Sequence, residues 1–171
     1  TLRTLAEAGV DRFVIVVGFM SDAIRAAVKA LPFVGGEGRI TWVHNADFKK
    51  SNGVSLVRAR EYLDGPFLLS MSDHVYDAAL PRLAAQADMG LADLYLCVDR
   101  RLDEIYDMDD ATKVKTRDGA IVAIGKQLVD FDCVDTGVFA VSPVLVDKLA
   151  ALEQKKGDCS LSEGVAELAV K

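Results

Sequence analysis

The polar segment Ser72-Asp73-His74 directly follows an apolar stretch rich in Phe and Leu, residues 66–71. An apolar strand that ends in a carboxylate places a hard oxygen ligand at the rim of a cleft, where Mg²⁺ binds phosphates. An Asp at this point can equally cap a helix that follows. The sequence therefore indicates Asp73 as a candidate magnesium ligand, with helix capping as the open alternative.

A second polar segment, Asn52-Gly-Val-Ser-Leu56, opens a predicted helix. Its small residues would let a base or a ribose approach the backbone closely. An ordinary Asn cap followed by Gly explains the same spacing equally well. Spacing alone does not decide between a nucleotide contact and a helix cap.

A third group combines Lys126 with the pair Asp135-Thr136 in the next predicted strand. An ammonium group can bind phosphate while a carboxylate and a hydroxyl accept from ring hydroxyls, so the group suits a phosphorylated polyol. The alternative is an exposed Lys beside an Asp, which is usually a weak surface pair. The acidic residues 103–110 are predicted to form a solvated loop that folds over this site.

Other residues argue against common metal and phosphate sites. His44 and His74, the two histidines, lack the helical spacing of a zinc pair. The three cysteines lie far apart without a Cys-x-x-Cys pair, which predicts buried, reduced thiols. Residues 34–38 are rich in Gly, but they lie between a helix and a strand, whereas phosphate loops follow a strand and open a helix. They are predicted to form a turn.

Alternating strands and helices must position these side chains. The order βαβαβαβ predicts a three-layer α/β sandwich, a Rossmann-like fold with a mixed, mainly parallel sheet and right-handed crossovers. The ligand cleft is then expected at the carboxyl ends of the strands. Apolar runs and alternation predict strands at residues 13–17, 39–44, 66–71 and 92–98, and helices at residues 1–8, 21–31, 54–63 and 78–87.

The pattern changes after residue 99. Residues 112–116 and 120–124 flank Asp118-Gly119, a pair typical of a hairpin turn. A strand at residues 134–141 follows, Pro143 opens a helix at its first turn, and residues 160–171 are helical. An antiparallel excursion of this kind commonly shapes a substrate pocket.

Composition limits the possible classes of protein. The 171 residues are 51% hydrophobic and carry a net charge of −6, which predicts one folded domain. The longest apolar run is far short of a bilayer span, so no membrane contact is expected from this segment. Without a basic cluster, no nucleic-acid binding is expected. A small anion held by a few cations and a metal fits this composition, and a cytoplasmic location is expected.

Six motifs occur in the order found in one group of nucleotidyltransferases. From about residue 8 to residue 171, the chain resembles the CTP:inositol-1-phosphate cytidylyltransferase domain, which is often fused to a membrane-embedded di-myo-inositol phosphate phosphate synthase. The motifs are Asn52-Gly-Val-Ser-Leu56, Ser72-Asp-His-Val-Tyr-Asp77, Ala111-Thr-Lys-Val114, Ile124-Gly-Lys126, Phe131-Asp-Cys-Val-Asp-Thr-Gly-Val-Phe139 and Leu161-Ser-Glu163.

The resemblance implies a sugar-nucleotidyltransferase fold of the glycosyltransferase-A type. It implies a Mg²⁺-dependent reaction of CTP with inositol 1-phosphate to give CDP-inositol and pyrophosphate. Asp73 would be the metal ligand, and Lys126 would bind the acceptor phosphate. By position in the motifs, the nucleotide side would hold Asn52, Gly53, Ser55 and Ser72, and the acceptor side Thr112, Lys113, Asp135 and Thr136.

Two family features do not occur in residues 1–171, which are expected to form one nucleotidyltransferase domain. The Gly-rich loop that wraps the triphosphate is expected before Thr1, and a second metal-binding Asp after Lys171. Without them this segment is not expected to catalyse. The reaction itself needs no catalytic histidine, because a phosphate monoester with a second pKa of about 6 is mostly a dianion near neutrality.

Three other functions stay open at this stage. One is the same reaction on phosphocholine or a hexose 1-phosphate. Phosphocholine pockets use aromatic faces, and Tyr106 is the nearby aromatic residue in the sequence. Another is a glycosyltransferase, although that class typically has Asp-x-Asp where this chain has Asp73-His74-Val75. The last is a non-catalytic nucleotide-sensing or scaffold domain.

Overall fold

The computed structural model describes residues 1–32 and 38–169. The turn predicted at residues 34–38 lies, apart from Gly38, outside the described residues. The helices are α1 Leu2–Glu7, α2 Ser21–Lys29, α3 Asn52–Arg58, α4 Ala79–Ala84, α5 Pro143–Lys156 and α6 Leu161–Ala169. The strands are β1 Phe13–Val17, β2 Ile40–His44, β3 Phe67–Ser70, β4 Leu94–Asp99, β5 Lys113–Arg117, β6 Ala120–Gly125 and β7 Cys133–Val141.

Strand β7 organises the larger of two sheets. Strands β3 and β4 both pair antiparallel with β7, one on each side of it. Strand β5 continues the β3 edge, because Val134 pairs with Asp99 of β4 on one side and with Lys113 of β5 on the other. Strands β1 and β2 form a separate parallel pair. The carboxyl ends of β3 and β4 therefore lie at the same edge, beside the start of β7.

Helices cover both faces of this sheet, which confirms the three-layer α/β class. Alternate residues of β7 point to opposite faces. Phe139 and Val141 belong to one apolar cluster, with α3, α5 and α6, whereas Val138 and Ala140 join α4 in the other. Because β7 packs on both sides, nearly all its side chains are apolar and buried. Its polar residues Asp135 and Thr136 lie toward its first end.

Most predicted elements are confirmed, with local differences. Asp118 and Gly119 both have positive φ, at 51° and 82°, as a hairpin turn of this type requires. The predicted helix 54–63 instead begins at Asn52 and ends at Arg58, and a 3-10 turn follows. Strands β3 and β4 are parallel to each other but do not pair, because β7 lies between them. That arrangement depends on a strand far along the chain, which the local βαβ pattern does not contain.

Side chains at the N-termini of α5 and α6 cap these two helices. Pro143 opens α5, and the Ser142 hydroxyl accepts from the Val144 amide at 3.3 Å. At α6, Ser160 and Glu163 form a capping box, in which the Glu163 carboxylate accepts from the Ser160 amide at 2.9 Å. None of the helices in residues 1–32 and 38–169 is long and apolar enough to cross a bilayer.

Candidate active site

Asp73 lies in the turn that follows β3, and its side chain is 74% exposed. Its Oδ1 accepts from Nδ1 of His74 at 2.9 Å. The N-cap of α4 is instead Ala78, and the carboxylate that binds the start of this helix is that of Asp77, whose Oδ1 accepts from the Ala79 amide at 2.8 Å. The capping alternative for Asp73 is therefore wrong, and its carboxylate is open to solvent at the strand end, as the magnesium hypothesis requires.

A cavity of about 500 Å³ opens beside this turn. It lies between the segment that leads into α4, the end of β4 and the start of β7. Its polar lining includes His74, Asp77, Arg101, Asp135 and Thr136. The structure thus brings the residue after Asp73 together with two of the predicted acceptor-side residues, more than 60 positions later in the chain.

A bulge in β7 orients the acceptor-side residues. Between the pairs Leu96–Phe139 and Val98–Asp135, β7 contains extra residues that β4 does not match. Thr136 donates its hydroxyl to the Cys97 carbonyl at 2.7 Å, and the Asp135 carboxylate accepts from the Gly137 amide at 2.6 Å. Because the bulge turns the chain locally, Asp135 and Thr136 both reach the cavity although they are sequence neighbours on a strand.

Asp135 is the most perturbed acid of the site. Its pKa is raised to about 6, chiefly by burial and to a smaller extent by the nearby Asp73 charge. The Gly137 amide and His74 act in the opposite direction. Its backbone is held by Thr112, whose carbonyl accepts from the Asp135 amide at 2.9 Å. Such a carboxylate can accept from hydroxyls of a bound polyol, and a desolvated acid in a cleft is a common mark of a functional site.

Two lysines at the open end of the β5–β6 hairpin meet the acidic loop, and neither of them lines the cavity. Lys126 forms an ion pair with Asp110, and Lys113 donates to the Asp109 carbonyl at 3.2 Å. Both ammonium groups lower the pKa of Asp110, Lys126 more strongly. Lys113 is 8% exposed, which is unusual for a lysine. The acidic loop is exposed, as predicted, and Ile105 from the same loop lines the cavity.

Ser55 lies on α3, near the ends of the parallel strands β1 and β2. Its hydroxyl accepts from the side-chain amide of Asn45 at 3.0 Å. Asn45 is 2% exposed, directly follows β2, and also accepts from the Asp47 amide. The structure does not place Ser55 in the cavity around Asp135. Ser72 is exposed in the turn just before Asp73.

Asn52 and Gly53 have packing partners in α6 and the segment before it. The Asn52 side-chain oxygen accepts from the Leu161 amide at 2.8 Å, although the residue is largely exposed. A Cβ on Gly53 would lie 2.6 Å from the Cys159 carbonyl and 2.9 Å from Leu149. The segment before α6 therefore occupies the space beside Gly53. No room is left there for a base or a ribose, contrary to the expectation from the sequence.

The Asp73 carboxylate suits a Mg²⁺ ion whose other ligands are chiefly substrate phosphates and water. Oδ1 of Asp73 accepts from His74, and the second carboxylate oxygen can bind a metal ion. In residues 1–32 and 38–169, no cluster of three or more His, Cys, Asp or Glu could hold a metal. Mg²⁺ is commonly bound by one or two carboxylates together with substrate phosphates and water, so one exposed Asp is a suitable protein ligand.

Sequence reasoning missed two residues of this site. The spacing of His74 excludes a zinc pair and indicates no other role, whereas the structure shows it bound to Asp73 and lining the cavity. The sequence places Gly137 only within a motif, whereas its positive φ of 75° forms the bulge beside Asp135. The signal for both was their position inside motifs that already contained Asp73 and Asp135.

The fold is that of nucleotidyltransferases. The structure is similar to that of the inositol-1-phosphate CTP transferase from T. maritima, with a TM-score of 0.78 and 25% identity, over 97% of this chain and 65% of the other. A UDP-glucose pyrophosphorylase shares the fold, with a TM-score of 0.74 and 10% identity, over 98% of this chain and 73% of that one. These similarities confirm the predicted Rossmann-like fold.

Sequence relatives confirm the resemblance to inositol-1-phosphate cytidylyltransferases. A protein of Archaeoglobus fulgidus named "Bifunctional IPC transferase and DIPP synthase" is 32% identical over 164 residues, 95% of this chain and 31% of the relative. One of the same name from Thermococcus kodakarensis is 34% identical over 165 residues, 95% of this chain and 35% of that protein. The chain thus spans about a third of the length of these relatives. No protein-family model matches it.

Proposed function

We propose that this chain is the nucleotidyltransferase domain of a cytidylyltransferase that joins CTP and inositol 1-phosphate to give CDP-inositol and pyrophosphate. The observation that carries the proposal is the exposed carboxylate of Asp73, held by His74 at the mouth of a cavity that Asp135 and Thr136 line. The names of the relatives support the same nucleotide and acceptor. The cytoplasmic location stays a prediction.

The phosphate of the acceptor is proposed to bind at Lys126 and Lys113. Lys113 is buried with a neutral carbonyl as a hydrogen-bond partner, and a buried ammonium group gains more from an anion. Lys126 already holds a carboxylate, Asp110, which we take as an internal stand-in for the phosphate. The Lys126 ammonium group, which binds the Asp110 carboxylate, would bind the phosphate dianion in the complex.

The polyol ring is proposed to occupy the cavity that Asp135 and Thr136 line. Asp135 supplies carboxylate oxygens for ring hydroxyls, Thr136 adds a hydroxyl oxygen that can accept, and Thr112 positions Asp135 through its carbonyl. The phenol ring among the lining residues is Tyr76, whose hydroxyl is hydrogen-bonded to Ser70. The cavity has a partly apolar lining, and its polar residues include the acids Asp77, Asp99 and Asp135, whose oxygens can accept from the hydroxyls of a polyol.

The nucleotide is proposed to lie on the opposite side of Asp73, toward α3. Asn52 and Ser55 present polar groups there, and Ser72 is exposed next to the metal ligand. Gly53 contributes by allowing α3 to approach the segment before α6, which sets the position of Asn52 and Ser55. Its contribution to nucleotide binding is therefore indirect.

The reaction requires one anion to attack another. A phosphate oxygen of inositol 1-phosphate forms a bond to the α-phosphorus of CTP, and the bond between the α- and β-phosphates breaks to release pyrophosphate. Bound Mg²⁺ supplies charge neutralisation at the α-phosphate. Lys126 and Lys113 neutralise and align the nucleophile, and Asp73 fixes where the cation sits. The gain is alignment and charge compensation rather than proton transfer.

Product analysis of the full-length protein tests this proposal. The protein is incubated with Mg²⁺, each of the four nucleoside triphosphates in turn, and a panel of phosphorylated polyols, phosphocholine and hexose 1-phosphates. We expect CDP-inositol and pyrophosphate in equal amounts from CTP and inositol 1-phosphate. A different preferred acceptor would overturn the substrate assignment, and no nucleotidyl transfer with any pair would favour a non-catalytic domain.

A further inference from the structure

His74 is not used by the chemistry described above, yet it touches the proposed metal ligand directly. Its Nδ1 lies 2.9 Å from Oδ1 of Asp73. An ionised carboxylate can only accept, so Nδ1 carries the hydrogen and donates it. Asp73 is 74% exposed, and an exposed side chain rotates freely unless a partner restrains it. The His74 hydrogen bond is such a restraint.

The ring of His74 packs against Gly137 in the bulge of β7. A Cβ built on Gly137 would lie 2.7 Å from Cγ of His74 and 2.9 Å from its Nδ1, closer than real side chains approach. Only a glycine leaves room for the ring there, and its φ of 75° also disfavours other residues. The Gly137 carbonyl accepts from the Met71 amide at 2.9 Å, which ties the bulge to the end of β3.

The same bulge positions the acceptor side. The Gly137 amide donates to the Asp135 carboxylate at 2.6 Å, and both Asp135 and His74 line the cavity. One glycine therefore contacts the ring that restrains Asp73 and the carboxylate proposed to bind the polyol. Movement of the ring would alter the geometry of Asp73 relative to Asp135.

We propose that His74 is a positioning residue: its Nδ1–H, with the ring seated on Gly137, holds Asp73 so that the other carboxylate oxygen faces the divalent cation beside the acceptor cavity. The inference rests on the proposed function, because it assumes that Asp73 binds the cation. It assigns to His74 no contact with the metal and no proton transfer.

Metal binding by the full-length protein tests the proposal without turnover. Mn²⁺ replaces Mg²⁺ as the probe, CTP is present without acceptor, and Mn²⁺ bound to the complex of protein and CTP is measured by electron paramagnetic resonance. Outer-shell partners of metal ligands commonly change affinity by about 10-fold or more. We expect His74→Ala to weaken Mn²⁺ binding by about that factor and to lower kcat more than it changes the KM for CTP.

Two isosteric variants separate the hydrogen bond from mere packing. In His74→Asn the amide nitrogen lies near the position of Nδ1, whereas in His74→Gln it lies near Nε2. We expect His74→Asn to restore Mn²⁺ affinity to within about threefold of the wild type and His74→Gln not to do so. His44→Ala, at the exposed end of β2, is the matched control and should bind Mn²⁺ like the wild type.

The possible results distinguish this inference from the proposed function. If Asp73→Ala loses Mn²⁺ affinity but His74→Ala does not, the positioning role is overturned while the metal role of Asp73 stands. Equal losses in His74→Asn and His74→Gln also overturn it, and this comparison remains valid if His74→Ala fails to fold. If Asp73→Ala binds Mn²⁺ like the wild type, the proposed metal site itself is wrong.

Discussion

Two regions of the molecule each contain a family motif but differ in how they are packed. At the start of α3, Gly53 is buried against the Cys159 carbonyl, and Asn52 caps α6. At the end of β3, Asp73 is exposed and His74 lines a cavity. The difference teaches that a motif residue can be required for packing in one place and available for ligands in another. Substitutions should therefore affect stability in the first region and activity in the second.

The largest effect is expected for Asp73→Ala in the full-length protein. Loss of the proposed metal ligand removes charge compensation at the α-phosphate, so CTP turnover should fall by about 100-fold or more, roughly 2.7 kcal/mol of barrier. Initial rates at saturating CTP measure this. The thermal unfolding midpoint should stay near that of the wild type, because the side chain is exposed. Retention of more than about a tenth of the rate would count against the metal role.

Lys126→Ala tests the acceptor side of the open region. Without this ammonium group the phosphate dianion is less well bound and aligned, so kcat/KM for inositol 1-phosphate should fall by about 10-fold or more. Kinetics at varied acceptor concentration measure it. Lys115→Ala is the matched control, because Lys115 lies on β5 but pairs with Asp130 instead. An unchanged rate for Lys126→Ala would remove the assignment.

Gly53→Ala tests the packed region. Alanine favours a helix over glycine by about 1 kcal/mol, but its Cβ would lie 2.6 Å from a backbone carbonyl, which must move. Overpacking of this kind costs about 1–3 kcal/mol, so we expect net destabilisation. Urea unfolding measures the change, with Gly65→Ala as the control, since nothing lies within 4 Å of its Cβ. Normal stability with a raised KM for CTP would instead indicate direct nucleotide contact at Gly53.

The pH dependence of stability tests the burial of Asp135. Its folded-state pKa of about 6 lies above the unfolded value near 4, so the folded state binds the proton more tightly. The resulting stability is present below about pH 4 and is lost as pH rises through about 6, with a size on the order of 2 kcal/mol. As the pH is raised from about 4 to about 6, the thermal unfolding midpoint should fall in the wild type and should change less in Asp135→Asn. Identical pH profiles would show that Asp135 is not desolvated.

The smallest effect is expected for Asp110→Asn. Exposed ion pairs contribute about 0–1 kcal/mol, so removing the stand-in carboxylate should strengthen phosphate binding by at most about fivefold. Inhibition of the full-length enzyme by inorganic phosphate measures this. Asp103→Asn removes a charge from the same loop and serves as the control. If both variants gain equally, the effect is general electrostatics rather than displacement of Asp110 from Lys126.

Much of the fold could be predicted because its signals are local. The apolar run of β1, the Asp118-Gly119 turn and Pro143 at the start of α5 each specify structure through neighbouring residues. The insertion of β7 between β3 and β4 could not be predicted in this way. Pairing between strands distant in sequence depends on which faces pack together, and both β3 and β4 would also satisfy a parallel arrangement.

For the site, the sequence by itself determined which side chains are present and that Asp73 closely follows an apolar strand, because apolar periodicity and chain order are properties of the sequence. Only the tertiary structure decided that Asp73 is held by His74, that Gly137 seats the ring beside Asp135, and that Gly53 is filled by packing. The physical reason is that the contacts of Gly137 with His74 and of Gly53 with Cys159 join segments tens of residues apart, so they exist only in the folded chain, and the position of the His74 ring relative to Asp73 depends on the first of them.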